Sequence, residues 1–306
     1  MKRRLMPILL AILALATAQL ACSDPAPGRT VSETVSGDWI RVYFTSPRYP
    51  DQESTRRGGL DETLSTVIGE AQESVDLAAY DVDLERVAQA LIAAHRRGVQ
   101  VRVVTEADNA GEAVLDDLDR AGVPVVADDR SGGLMHNKFA VIDQVWVWTG
   151  SWNMTENGTY RNNNNAVLIA SPALAENYSA EFEEMYDSAF GPTSPADTPN
   201  PRVVITVETE EGEERRVEVE NYFAPEDEAG AYIIAEIKSA RSRVRFMAFT
   251  FTSQEIADAM LEQARAGVVV QGVIEDRNAE RDYSQYKRLK REIHDILPDG
   301  NPYIMH

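Results

Sequence analysis

Part of this chain is written twice, and that constrains its fold more than any other feature. Sliding residues 71–109 onto 240–278, at a constant offset of 169 and without a gap, gives 12 identities in 39 positions. The matches include Gly98/Gly267, Glu106/Glu275 and Asn109/Asn278 beside apolar pairs such as Val75/Val244 and Val104/Val273. Shared helix and strand periodicity accounts for the apolar coincidences. It does not account for a glycine, a carboxylate and an amide that recur at one spacing. Two similar lobes about a pseudo-twofold axis are expected, with a site at their seam.

The repeated stretch itself reads as alternating helix and strand, the pattern of an α/β domain. Val42 to Phe44 and Val75 to Tyr80 are apolar runs of strand length, separated by a helical stripe of Leu64, Val67, Ile68 and Ala71 that Asp61 is placed to cap. Leu84, Val87, Ala88 and Leu91 mark a second helix, which Gly98 can end in a left-handed turn. Strands follow at 99–105, 123–126, 138–142 and 145–149, a short helix at 114–118 and a closing helix at 174–189. Prolines 192, 195, 199 and 201 then break the pattern, and two strand-like runs flank an acidic Glu-Glu-Gly-Glu turn. The expected division is 1–21 export signal, 22–38 flexible tether, 39–190 first lobe, 191–221 proline-rich linker and acidic hairpin, and 222–306 second lobe.

The export signal is read from Lys2, Arg3 and Arg4, an apolar run from Leu5 to Leu20, and small residues after it. That run is shorter than the ~20 residues of a membrane-spanning helix. Ala16-Thr17-Ala18 fits cleavage before Gln19, while Leu20-Ala21-Cys22 resembles a bacterial lipobox in which Cys22 becomes the lipidated first residue. Cys22 is the only cysteine, so within one chain no disulfide and no cysteine-based zinc site can form. Its place at the end of an export signal favours a lipid anchor. The expected location is the bacterial cell envelope, periplasmic or outer-membrane face, or the secreted fraction. Thirty basic against fifty acidic residues give a net charge of −20, which on average repels polyanions and disfavours non-specific duplex binding.

Chemistry concentrates in one stretch. His95 and His294 sit among charged residues on expected helices and read as solvated surface groups. His136 instead opens His-Asn-Lys-Phe-Ala-Val-Ile-Asp, and on a strand His136 and Lys138 share a face because the side-chain period is two. An imidazole beside a fixed ammonium suits a phosphate. Asp143 lies an odd seven residues on and projects from the other face, which assigns it to supporting the strand. The next strand ends in Gly150-Ser151-Trp152-Asn153, where a glycine turn can present a hydroxyl and an amide beside the cation. Nucleophile, charge clamp and neutral donors are what in-line displacement at phosphorus requires. No carboxylate and histidine cluster at metal-ligand spacing accompanies them, so neither a metal nor another cofactor is expected.

With H-x-K-x(4)-D followed by G-S-x-N, the sequence resembles the phospholipase D superfamily over about residues 40–306. The resemblance implies an α/β fold of two similar lobes, each a mixed sheet flanked by helices, that bring one such motif each to a shared, metal-independent site. It implies that one histidine attacks phosphorus to form a phosphohistidine while the other protonates the leaving alcohol, and that water or another alcohol then releases the phosphoryl group. By that likeness the catalytic set is His136, Lys138 and Asp143 with His306 as the second histidine. Lys138 and Asn153 bind phosphate oxygens, with Ser151 beside them. A glutamate that orients a histidine in such proteins is replaced by Asn164, which can bond a ring but cannot supply charge. The repeat sets Met305-His306 opposite Met135-His136, and the second lysine, aspartate and G-S-x-N turn do not follow, so the second lobe is expected to be incomplete and the chain to continue in a longer protein.

The reading is a phosphoric diester hydrolase acting on a phospholipid or other phosphodiester, with the membrane as partner through Cys22. An endonuclease of the same family is the runner-up, because Arg281, Tyr283, Tyr286, Lys287, Arg288, Lys290 and Arg291 form one basic, aromatic stretch. At helical spacing that stretch reads first as a solvated face. An inactive envelope-binding protein with the same fold is the third reading, and a homodimer that pairs two copies of His136 is the arrangement expected if the chain is complete.

Overall fold

The computed structural model describes residues 29–208, 212–300 and 302–305; the export segment, Cys22 and His306 lie outside the described residues. The chain opens with β1 (Thr30–Ser36), β2 (Ile40–Phe44), α1 (Leu60–Glu70), β3 (Ser74–Ala79), α2 (Glu85–Arg96) and β4 (Gln100–Glu106). It continues with α3 (Ala113–Arg120), β5 (Val125–Asp128), β6 (Lys138–Ile142), β7 (Trp146–Gly150), α4 (Glu156–Tyr160), β8 (Asn165–Ala170) and α5 (Pro172–Tyr186). Strands β2 to β8 form one seven-stranded sheet in the order β2-β8-β7-β6-β3-β4-β5. Its β3-β4-β5 part is parallel, and β6, β7, β8 and β2 add to it antiparallel.

The alternation of each central strand divides two cores. Leu77, Val103, Ala140 and Ile142 point to the α1, α2 and α3 side, where Leu64, Ile68, Leu91 and Leu118 are buried. Ala78, Val104, Phe139 and Val141 point to α5 with Phe182 and Met185. At ~25 cal/mol per Å² of apolar surface, filling both faces is what stabilises a mixed sheet of this size.

After α5 come β9 (Arg202–Glu208) and β10 (Glu214–Glu220), the expected hairpin. The flexible tether expected over residues 22–38 must be corrected. Thr30–Ser36 is strand β1, paired in parallel with β9 in a three-stranded sheet of order β1-β9-β10. Val31 and Val35 supply an alternating apolar face that packs, with buried Val203 and Ile205, against the α5 side of the first lobe. Glu33 bonds the Ser171 hydroxyl and accepts the Ala173 N–H at 3.1 Å, fastening β1 to the start of α5. The stretch read as a linker between lobes thus carries a sheet that covers the first lobe. Asp61 also differs from expectation: the α1 cap position is Gly59, and the buried Asp61 carboxylate receives Arg86 and the Tyr160 hydroxyl.

The second lobe contains α6 (Ala229–Ser239), β11 (Arg243–Ala248), α7 (Gln254–Arg265), β12 (Val269–Ile274), α8 (Asp276–Ala279), α9 (Tyr286–Glu292) and β13 (Ile296–Pro298). Its sheet is parallel and three-stranded, β11-β12-β13, the counterpart of β3-β4-β5. The three polar identities of the repeat each have a duplicated task. Gly98 and Gly267 turn the chain at φ +95° and +91°, where a side chain would be strained. The Asn109 Nδ2 donates to the Tyr80 carbonyl at 2.7 Å, as the Asn278 Nδ2 donates to that of Phe249 at 2.9 Å. Buried Glu106 accepts the Met135 N–H at 2.6 Å, and buried Glu275 accepts that of Met305 at 2.7 Å.

Candidate active site

His136, Lys138, Ser151 and Asn153 lie near one edge of the seven-stranded sheet, because β3 and β4 end there, β6 begins there and β7 ends there. Met135 is pinned by Glu106, so the next residue, His136, is delivered at that edge and exposed. Its ring meets Tyr80 edge to face, with centroids 4.6 Å apart. The Lys138 ammonium lies 5.0 Å from the same Tyr80 ring and donates to the His136 carbonyl at 2.9 Å. Tyr80, the residue after β3, is therefore a shared wall for both. Burial depresses the Lys138 pKa to about 8, partly offset by the charge of Asp81. Asp81 is itself pushed up by burial and by Glu112.

Between the two, Asn137 turns to the opposite side of the strand. Its Nδ2 donates to Glu181 on α5 at 2.8 Å, and its carbonyl accepts the Tyr80 N–H at 2.9 Å. Burial and the neighbouring Glu226 hold the Glu181 carboxyl well above the usual carboxylate range. A cavity of about 400 Å³ opens beside His136, walled by Phe139, Tyr178, Glu181, Tyr222 and Phe223.

The glycine turn is built by close approach. At Gly150 a Cβ would collide with the Asn165 carbonyl oxygen, so β7 can lie this near β8 only with glycine at its end. Ser151 donates to the Asn164 Oδ1 at 2.9 Å and accepts the Asn165 N–H at 3.2 Å, so its one hydroxyl proton is spent on the turn. Asn164 is buried, with its Nδ2 on the Gly158 carbonyl at 2.9 Å. It braces the loop. Asn153 is half-buried, its Oδ1 enclosed without a donor among the described residues. Asp143 stands at the far end of β6, roughly 16 Å along the strand from Lys138. There, in a left-handed turn, its carboxylate accepts the N–H groups of Gln72, Glu73 and Ser74. Asp143 and Ser151, expected in the catalytic and substrate-binding sets, are scaffold in this geometry, whereas His136, Lys138 and Asn153 stand at the edge where β6 begins and β7 ends.

The second lobe reaches the same edge. The Asn163 N–H donates to the Ile304 carbonyl at 2.9 Å, and Asn163 pairs with Met305 as an isolated parallel bridge. Farther out, the Tyr303 hydroxyl accepts the Asp51 N–H at 2.8 Å. His306, which follows Met305, is outside the described residues. Among the described residues no group of three or more histidine, cysteine or carboxylate side chains could hold a metal ion. Tyr80, Asp81 and Glu181 were not singled out from the sequence, and Glu106 stood out there only as an identity of the repeat. The one available signal was that Tyr80 and Asp81 directly follow the matched Ala79, at the carboxyl end of a strand where α/β proteins place ligands.

A family model described as cardiolipin synthase, PLD-like domain, matches residues 64–186 and 233–306. A mitochondrial cardiolipin hydrolase of Chlamydomonas reinhardtii is 24% identical over 185 residues, 55% of this chain and 82% of that protein. A phospholipase D of Rickettsia conorii is 35% identical over 126 residues, 40% of this chain. This chain covers 62% of the Rickettsia protein, under two-thirds of its length. A solved structure of phosphatidylserine synthase from Haemophilus influenzae superimposes with a TM-score of 0.56 and 14% identity over 88% of this chain and 75% of that one, a likeness of fold.

Proposed function

From the premise that this chain belongs to the phospholipase D-like family, we propose that it is a phosphodiesterase that cleaves a phospholipid at the bacterial cell envelope through a phosphohistidine. The observation that carries the reading is the pairing of exposed His136 with the half-buried Lys138 ammonium across the Tyr80 ring, at the mouth of a cavity. Lys138 holds a phosphate oxygen with the side-chain amide of Asn153, and His136 attacks phosphorus in line. His306 is the acid that protonates the leaving alcohol, a role supported by Met305 repeating the Met135 bond to a buried glutamate. Once the alcohol leaves, the same imidazole activates water, or another alcohol, to release the phosphoryl group.

A nuclease reading has one specific feature in its favour, the basic stretch over 281–291. Two of its cations are spent within the lobe: Arg288 pairs with Asp258, and Lys287 with Glu280 at 3.2 Å. Tyr286 is buried, so it offers no face to a base. Phospholipid vesicles and duplex DNA assayed side by side should show phosphodiester turnover on the vesicles. Turnover confined to DNA would replace the lipid by a nucleic acid, and turnover of neither would leave a binding protein.

For location, the basic start, the apolar run and Cys22 support export with a lipid anchor. Cys22→Ser is expected to release the protein from the membrane fraction or leave its signal uncleaved, since acyl chains contribute ~0.8 kcal/mol per buried CH₂. Unchanged membrane retention with normal processing rules out lipidation at Cys22.

A further inference from the structure

Glu106 ends β4 and Glu275 follows β12, at corresponding positions of the repeat, and both are buried, at 3% and 1% exposed. Burying a carboxylate is costly, and each of these spends an oxygen on one backbone N–H. Glu106 accepts that of Met135 at 2.6 Å and Glu275 that of Met305 at 2.7 Å, short bonds of the charge-assisted kind. What lies between the partners differs in the two lobes. The first bond closes over α3 and β5 across 29 positions, the second over α8, α9 and β13 across 30. The closing contact is the same although the chain inside it is built differently.

In each lobe the residue after the bonded methionine is a histidine of the proposed pair. Residues 133–137 belong to no helix or strand, so the His136 backbone has no ladder to fix it. It is held through its neighbours instead. On one side is the Met135 bond to Glu106, and on the other the Asn137 carbonyl, which accepts the Tyr80 N–H at 2.9 Å. In the second lobe the two residues before His306 are clamped from both lobes: the Ile304 carbonyl accepts the Asn163 N–H at 2.9 Å, and the Met305 N–H is held by Glu275.

We propose that Glu106 and Glu275 are the positioning residues of the two histidines and act on different steps, Glu106 on the attack by His136 and Glu275 on the proton transfers of His306. This rests on the reading of both histidines as parts of a phosphodiesterase. In that reaction the His136 nitrogen forms a bond to phosphorus while the bond to the leaving oxygen breaks, and that oxygen takes the proton of the His306 imidazolium. A water oxygen then attacks phosphorus, the nitrogen–phosphorus bond breaks with its electron pair returning to His136, and the water proton passes to His306. A histidine displaced by ~1 Å loses about 100-fold in its own step. An alkyl alcohol needs the proton in order to leave, whereas a nitrophenol leaves as its anion.

The test uses the full chain with Glu106→Ala and Glu275→Ala, and with Gln and Asp at each position, on an alkyl and a nitrophenyl phosphodiester. Glu106→Ala should lower kcat about 100-fold on both substrates, with KM little changed because Lys138 and Asn153 still hold the phosphate. Glu275→Ala should lower kcat about 100-fold on the alkyl diester yet keep the first, rapid release of nitrophenol, after which the phosphohistidine accumulates. Gln keeps an oxygen that accepts the N–H and should restore most of each loss. Where an Ala variant does not fold, Asp, which draws the acceptor back by one methylene, gives the same comparison. Equal losses on the two substrates in the Glu275 variants, or wild-type rates in the Ala and Asp variants at either position, overturn the proposal. A wild type that cleaves neither substrate defeats the phosphodiesterase reading by itself, and imidazole NMR signals then decide the positioning. The chain has four histidines, and Glu106→Asp should move the signals of His136 while Glu275→Asp moves those of His306. Signals that stay in place in either variant overturn it.

Discussion

His136→Asn abolishes turnover of a chromogenic phosphodiester, with a loss on the order of 10³-fold or more in kcat, and leaves the fold in place. Both halves of that result follow from where the residue sits. His136 is exposed and belongs to neither core, so the substitution opens no cavity, and such surface changes usually stay within about 0.5 kcal/mol. Its neighbours are held independently: Met135 by Glu106, Asn137 by Glu181 and by the Tyr80 N–H. An amide in the same place keeps a polar group of similar size but has no nucleophilic nitrogen. The loss should therefore fall on kcat. Wild type incubated with labelled substrate and denatured in alkaline detergent should carry a phosphoryl group stable to base and labile to acid, and the variant should carry none. Activity near wild type, or an equal labelled adduct in the variant, defeats the assignment.

The two histidine-bearing segments also show what the linear sequence could and could not convey. Gly98, Glu106 and Asn109 recur at a fixed offset because each performs one backbone task in both lobes, and such tasks admit few substitutes. A repeat of this kind is readable without coordinates. The same holds for His136 and Lys138, whose spacing matches the strand period. Thr30–Ser36 was not readable as a strand, because its partner is Arg202–Glu208, some 170 residues later, and nothing local announces a parallel pairing at that distance. Ser151 was assigned to substrate since a hydroxyl after a glycine turn looks available. Its proton is taken by Asn164, an interaction set by how closely Gly150 lets β7 approach β8. Tyr80 escaped notice for a related reason: an aromatic at the end of an apolar strand reads as core, and only the return of β6 beside β3 brings His136 and Lys138 to its ring.

Lys138→Met should yield an inactive enzyme that is more stable than the wild type at neutral pH. Burial lowers the Lys138 pKa from 10.5 to about 8, with Asp81 opposing. Because the folded value lies below the unfolded one, the folded state binds fewer protons between about pH 8 and 10.5, and stability rises with pH across that window. Below pH 8 the ammonium is charged in both states and its burial costs about 3 kcal/mol at most, at 1.36 kcal/mol per pKa unit. Methionine fills a similar volume without the charge, so unfolding at pH 7 should shift upward by ~1–3 kcal/mol. The gain should vanish as pH rises above 10.5, where lysine becomes neutral in both states. The same depression sets the catalytic pH limit: kcat/KM should fall as pH rises through about 8, when the clamp loses its proton. Stability measured against pH for both proteins checks the first claim, and the wild-type rate profile from pH 6 to 10 checks the second. A variant less stable than wild type at pH 7, or a rate profile flat through pH 8 to 9, shows that Lys138 is not a cation kept in a costly place for phosphate. The cost is sensible only for a site that meets an anion, since a phosphate beside the ammonium restores the favourable charge environment that burial removed.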